Sequence, residues 1–541
     1  MRNLVAKYFR IDPRSLALLR FALGAILLVD LAIRATDLRA HYTDAGAVPR
    51  SVVSENLGNA WRWSLHSLDG SATYQGCLFL IAAVVSISLL VGYRTRAATV
   101  FSWLLLFSLH THNPFVINAG DGLLRLILMW SIFLPLGRCW SIDSRRRRRT
   151  EPGNDDHATT PVLSLACVAI MLQVCVMYWA TAYFKVNDYW QSGDALHYVF
   201  SFDAYARPLA VRMLAYPELL TWLSRGSLVW EFVGPALLFF PWRTAAVRMA
   251  VIIGFVLLHI GIELTLTVGL FSYVSLAAWA VFIPPSVWNV LTRAKHRVAT
   301  SDQTASVVAP SPCDKSPATR RIRLLGDATV AALLVLVLVW NAFSLDVVSR
   351  WYGLPTAVRR AAQVTGTYQK WSMFDRPPRR DGWFVAIARL TDGQVIDLGR
   401  GGKPVDWESW QKPPRVIDRS KNHRWRKFSR HLLRRQHRRL RPTYCDYLLA
   451  EWRRDHPTAA EVARVELFYM QEETVSPADE VALADELPDA GNPAAAVAGT
   501  DPEISDEQQP PVAQRLIYHK QYKPLPLPDY LRLPAGTPPL K

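Results

Sequence analysis

Apolar residues in this chain gather in long runs with little polar interruption, not in the short alternation of half-buried strands. Runs of about 17 to 24 mostly apolar residues, the length that crosses roughly 30 Å of hydrocarbon, occupy 15–35, 73–93, 97–117, 121–137, 162–184, 227–242, 245–266, 270–287 and 325–345. A helix that is apolar on every side needs lipid or other helices around it. The pattern therefore predicts a membrane all-α fold, a polytopic bundle of about nine transmembrane helices. The run at 227–242 is short and contains Glu231 and Pro235, so a tilted or discontinuous helix is expected there.

Past residue 371 the periodicity changes. W-F-V-A-I-A-R-L (383–390) and Q-V-I-D-L (394–398) read as two strands joined by a turn at Asp392-Gly393, and R-V-E-L-F-Y-M (464–470) as a third. Residues 431–440 and 444–455 look helical. The division expected is a membrane domain over 1–292, a cytoplasmic linker over 293–324 and a last transmembrane helix over 325–345. A small, β-rich extracytoplasmic α+β domain over 346–475 follows, and then a disordered acidic Pro/Ala-rich tail over 476–541.

Charge sets the orientation. The 541 residues are 50% hydrophobic, yet the net charge is +17. The surplus falls in alternate loops: Arg2, Lys7 and Arg10 before the first run, Arg94 and Arg96 between the second and third, Arg145–Arg149 after the fourth, Arg243 and Arg248 after the sixth. By the positive-inside rule the N-terminus is cytoplasmic and the C-terminal domain extracytoplasmic, in a cell membrane crossed many times. The first run has no small-residue cleavage site behind it and is expected to stay as a helix. Beside a membrane span, the cluster Arg145–Arg149 points to topology and anionic membrane lipids, with no nucleic acid partner. The cluster over 415–441 suits anionic headgroups, an acidic peptide, the acidic tail or plain solvent. Six cysteines lack C-x-x-C spacing, so no metal site is expected. Cys77 and Cys445 would be either a disulfide or two free thiols.

Ionisable groups inside spans are costly and usually face each other or a cavity. Asp30 and Arg34 stand four apart on one helix face, as do Asp121 and Arg125, and either pair can fix helix to helix. Arg20 can snorkel. His259 lies deep in its run with Glu263 four residues on, and either that pair tunes a proton acceptor or the histidine bonds a backbone carbonyl. His112 precedes Pro114 at the outer end of the third run, an interfacial histidine or one beside a cavity. Lys185 ends the fifth run. It can snorkel to water or, held dry, become a neutral base.

The segment Y-W-A-T-A-Y-F-K-V-N-D-Y-W-Q-S-G-D-A-L-H-Y around Lys185, Trp190 and Gly193 resembles the signature of the vitamin K-dependent γ-carboxylase family, whose membrane module is the horizontally transferred transmembrane (HTTM) domain. G-Y-R-T-R (92–96), T-H-N-P-F-V-I-N-A-G-D-G-L-L (111–124), W-S-I-D (140–143), L-H-I-G (258–261) and G-L-F-S-Y-V (269–274) extend the resemblance over about 8–290, and W-S-M-F (371–374) carries it thinly to about 400. The resemblance implies Lys185 as the base that deprotonates a reduced naphthoquinone, vitamin K hydroquinone. Oxygen then adds, the resulting alkoxide takes a proton from a glutamate of an exported polypeptide, and carbon dioxide attacks the carbanion. His259 matches an intramembrane histidine of that family, and His112 a second one that assists at the carbon dioxide step. The scheme needs no metal. The alternative is a non-enzymatic membrane maturation or export factor that binds an exported peptide or a lipid-linked partner, with Lys185 an interfacial anchor.

Overall fold

The computed structural model describes residues 2–58, 61–150, 160–293, 317–345, 353–377, 379–405, 413, 415–474 and 513–521. The apolar part is built on α1 (Pro13–Ala35), α2 (Ala72–Val91), α3 (Thr95–His112), α4 (Ala119–Ser131), α5 (Leu165–Phe184), α6 (Pro217–Leu237), α7 (Thr244–Thr265), α8 (Phe271–Trp279) and α9 (Pro317–Ser344). Five helices among the described residues are long and apolar enough to cross a membrane: α1, α2, α5, α7 and, within α9, Arg321–Ser344. The bent pair Phe271–Phe282 and Pro285–Thr292 makes a sixth if it counts as one span.

The expectation of about nine spans exceeds this count for local reasons. The run at 121–137 yields only the 13 residues of α4, about 20 Å of helix. The third run stops at His112, and Pro114, which lacks an amide hydrogen, opens a separate 3-10 turn. Pro284-Pro285 breaks the eighth run into two helices bent by 92°. Helix α6 starts at Pro217, ten residues earlier than expected, and keeps Glu231 and Pro235 inside it.

Helix α5 is central: 72% of its apolar window is buried, against 28% in α2 and α7 and 11% in α9. It packs against α4, α6 and α9, while α1 packs on α2 and α8. Leu23 of α1, Trp130 of α4, Val174 of α5, Phe255 of α7 and Trp279 of α8 share one core. Leu80 and Val84 of α2 and Leu325 and Val335 of α9 point outward, as lipid-facing side chains do.

The C-terminal domain is a five-stranded antiparallel sheet with strand order β3-β2-β1-β4-β5, made of β1 (Arg380–Leu390), β2 (Val395–Asp397), β3 (Lys403–Pro404), β4 (Val462–Glu473) and β5 (Ala513–Gln521). Gly393, at φ 92°, gives the expected turn between β1 and β2 a conformation that glycine adopts freely. Strand β1 is apolar on both faces because both are covered. Ala386, Ala388 and Leu390 pack on Leu449 and Trp452 of the helix α11 (Leu440–Asp455), and Trp383, Val385 and Ile387 pack on Phe202 and Ala204 from the loop after α5. The helix α10 (His423–Leu433) begins eight residues before the one expected at 431–440. Strand β5 corrects the disordered tail expected over 476–541: residues 513–521 pair with β4, from Gln521 opposite Arg464 to Ala513 opposite Gln471. The rest of that tail, and residues 294–316 of the linker, lie outside the described residues.

Buried charge joins the two parts. The Asp30–Arg34 pair forms, at 2.8 Å. Asp121 does not pair with Arg125. It accepts from Arg34 at 2.7 Å and from Arg424 of α10 at 3.1 Å, while Arg424 also pairs with Asp30. Arg125 turns the other way, to the carbonyls of Gly366 and Tyr368, at 2.8 Å each. Two carboxylates and two guanidiniums thus neutralise one another away from water, the condition under which buried charge is tolerated. Arg20 turns inward and donates to the carbonyls of Leu89, Leu90 and Trp140. Cys77 is exposed and Cys445 buried, and no disulfide joins the two.

Candidate functional site

Helix α5 ends at Lys185, whose backbone N–H closes the last turn on the Thr181 and Ala182 carbonyls. The chain then forms the short helix Asp188–Ser192, turns at Gly193, and returns against α6 through Ala195–Phe200. Gly193 has φ 96°, and a Cβ there would stand 2.5 Å from Thr221 Cγ2. Backbone conformation and space both call for glycine.

This turn directs the lysine inward. Lys185 is 6% exposed. Its Nζ lies 2.7 Å and 2.8 Å from the two carboxylate oxygens of Glu231 on α6, and 4.4 Å from the centre of the Trp190 ring. The side chain does not snorkel; a counter-charge and an aromatic face replace the water it would otherwise seek. Trp190 donates its indole N–H to the Phe374 carbonyl at 2.8 Å, and the Asn187 amide donates to the Asp375 carbonyl at 2.7 Å. Phe374 sits at φ 52°, uncommon for a residue with a side chain. The segment after α9 is thereby fastened against the lysine loop.

Tyr178 is two helical turns before Lys185 on α5 and so lies on nearly the same face. Its hydroxyl is 2.6 Å from His259 Nε2 on α7 and accepts the Trp279 indole N–H from α8 at 2.9 Å. The Tyr178 hydroxyl can donate to a neutral Nε2 or accept from Nε2–H while it also accepts the indole N–H, so the bond suits either imidazole tautomer. Nδ1 is buried and has no hydrogen-bond partner among the described residues. The expected His259–Glu263 pair does not form: Arg207 reaches Glu263 at 2.6 Å, and a guanidinium outcompetes a neutral imidazole for a carboxylate.

Lys185 and His259 therefore share a site to which α5, α6, α7 and α8 each contribute a polar group. His112 lies elsewhere. Its Nδ1 is 3.2 Å from Ser67 Oγ and its ring stacks on Tyr42, with centroids 6.2 Å apart. Glu231 and Tyr178 were readable as a carboxylate inside an apolar run and a tyrosine seven residues before the lysine, but only the fold brings them together. No group of three or more His, Cys, Asp or Glu suited to a metal occurs among the described residues.

A cavity of about 570 Å³ adjoins this site, bounded by the α3–α4 connection, α9, α10 and residues 368–376. Phe271 lines it and places its ring 5.6 Å from that of His259. Phe374, whose carbonyl takes the Trp190 bond, lines it too.

No curated protein and no solved structure matches the chain. The family model of the HTTM domain matches residues 8–288, a stretch that holds Lys185, Glu231, Tyr178, His259 and the helices presenting them. With the motif turn at Gly193 and the buried lysine inside that stretch, the chain belongs to the HTTM domain family.

Proposed function

We propose that this membrane protein is an enzyme resembling the vitamin K-dependent γ-carboxylases, acting on an exported polypeptide with a reduced naphthoquinone and carbon dioxide. The observation that carries the reading is the dry Lys185–Glu231 pair beside Tyr178 and His259. In the same reading the chain crosses a cell membrane several times, with the N-terminus cytoplasmic and the C-terminal domain outside; the alternation of basic loops supports this.

The residues suit an aromatic diol. His259 Nδ1 is a buried polar atom with no hydrogen-bond partner among the described residues, and the rings of Phe255, Phe271 and Trp279 surround the His259–Tyr178 bond. When bound and oxygenated, a reduced naphthoquinone supplies the strong base that removes a glutamate side-chain proton before carbon dioxide adds. Lys185 and Glu231 hold one proton across 2.7 Å and have room for a second on the carboxylate, so the pair can accept a hydroxyl proton without bulk water. Trp190 keeps the ammonium in place while that proton is held. His259, through Tyr178, offers a neutral ring that binds and orients. The test is epoxidation of reduced vitamin K by membranes containing the protein. Wild type is expected to turn over and Lys185→Ala to be inactive at equal membrane levels; equal rates would overturn the reading.

A second reading rests on the same pair. Both Glu231 oxygens engage Lys185, which is also how a structural latch is built in a non-enzymatic maturation or export factor for an exported peptide or a lipid-linked partner. That reading expects the neutral double variant Lys185→Met/Glu231→Gln to keep full function in cells.

A further inference from the structure

The cavity of about 570 Å³ has both cationic and apolar lining. Seven Arg and Lys side chains line it, against one carboxylate, Asp375. Arg426 and Arg430 are committed, stacked on the Tyr205 ring and bonded to its hydroxyl respectively. Among the described residues, Lys370, Arg376, Lys427 and Arg434 have no carboxylate within ion-pair distance. Burial, with Arg430 and Arg434 nearby, holds the Lys427 ammonium below its ordinary pKa. His423 adds a ring nitrogen, Nε2, that is buried and has no hydrogen-bond partner among the described residues. Apolar side chains line the same cavity: Val268 and Phe271 from the α7–α8 stretch, Trp340 of α9 and Met373 of the segment after it. Trp340 lies on α9, the least buried of the candidate spans and therefore the one most open to lipid.

We propose that this cavity binds a phosphate-headed amphiphile, its phosphate among Lys427, Arg434, Arg376 and His423 and the base of its chain against Phe271 and Trp340. The volume is within the roughly 300–1,000 Å³ of small-molecule sites. A phosphate offers several acceptor oxygens to converging donors, which is the geometry that cations without carboxylate partners favour. An acidic peptide would satisfy the cations but would not account for the apolar lining, which includes Trp340 of the little-buried α9. This assignment goes beyond the proposed reaction and does not depend on it.

The full chain in detergent is titrated with short-chain phosphatidic acid, short-chain phosphatidylcholine, inorganic phosphate and a polyglutamate peptide. Phosphatidic acid is expected to bind most tightly. Lys427→Gln and Arg434→Gln should each weaken it by about tenfold, the size of one charge-assisted contact. Lys427→Arg should retain binding, and Arg454→Gln, exposed on α11, paired with Glu451 and outside the cavity lining, should change nothing. Equal binding of phosphatidylcholine overturns the phosphate assignment, and inorganic phosphate binding as tightly overturns the lipid source. Tighter binding of polyglutamate would make this a polypeptide site. None of these readouts involves quinol oxidation, so failure here and failure of the proposed reaction are told apart.

Discussion

Asp30 and Arg424, 394 positions apart in the chain, form a buried ion pair between the first long helix and the C-terminal domain. Arg424 also donates to Asp121 and to the Val116 carbonyl, while neighbouring Trp425 and Asn422 both bond Asp37, at 2.9 Å and 2.6 Å. The two parts of the molecule are thus joined through charge that neither can neutralise alone.

Arg424→Met should cost about 3–5 kcal/mol, because it leaves two buried carboxylates facing one guanidinium. Thermal unfolding and protease release of the C-terminal domain would both report it. Adding Asp30→Asn removes the excess charge and should recover a large part of the loss. If the double variant is no better than the single one, the charge balance is not the cause.

Glu231→Gln and Lys185→Met should each lower the unfolding temperature, since each strands one buried charge. The two together should be closer to wild type in stability and still inactive in quinol epoxidation. Recovery of both stability and turnover would assign the pair to architecture alone.

Gly193→Ala should destabilise by about 1–3 kcal/mol, from a positive φ and a close approach to Thr221. Reducing Thr221 to alanine should relieve the contact but not the backbone term. Comparing the three melting temperatures separates the two contributions.

Asp381 on β1 is buried and accepts from the Ala204 amide at 2.9 Å, and burial raises its pKa to about 6. The folded state then binds the proton more tightly than the unfolded chain, so stability is greatest below about pH 4, falls as pH rises to about 6, and is flat above. Asp381→Asn should flatten that window and gain at most about 3 kcal/mol at pH 7. Denaturant melts across pH 4–7 test it; an unchanged slope in the variant would assign the dependence to other groups.

The lengths of the apolar runs made the membrane helices legible, and short β-prone runs, two of them flanking the Asp392-Gly393 turn, did the same for β1, β2 and β4. The breaks were less legible, because composition alone does not say that Pro284-Pro285 bends a run or that α4 is short. Lys185 and His259 stood out as polar groups in apolar surroundings. Their actual partners did not, since Glu231 and Tyr178 gain meaning only from helix packing. Spacing four apart suggested His259–Glu263 and Asp121–Arg125, but cations from elsewhere in the fold, Arg207, Arg34 and Arg424, took those carboxylates.

The buried quartet also bears on the order of assembly. Asp30, Arg34 and Asp121 are synthesised early and leave one unit of negative charge inside the helical bundle. The residue that cancels it, Arg424, is translated only after every helix of that bundle, α9 included, has been made. The bundle's early folded form is therefore provisional, and the C-terminal domain acts as its last folding partner.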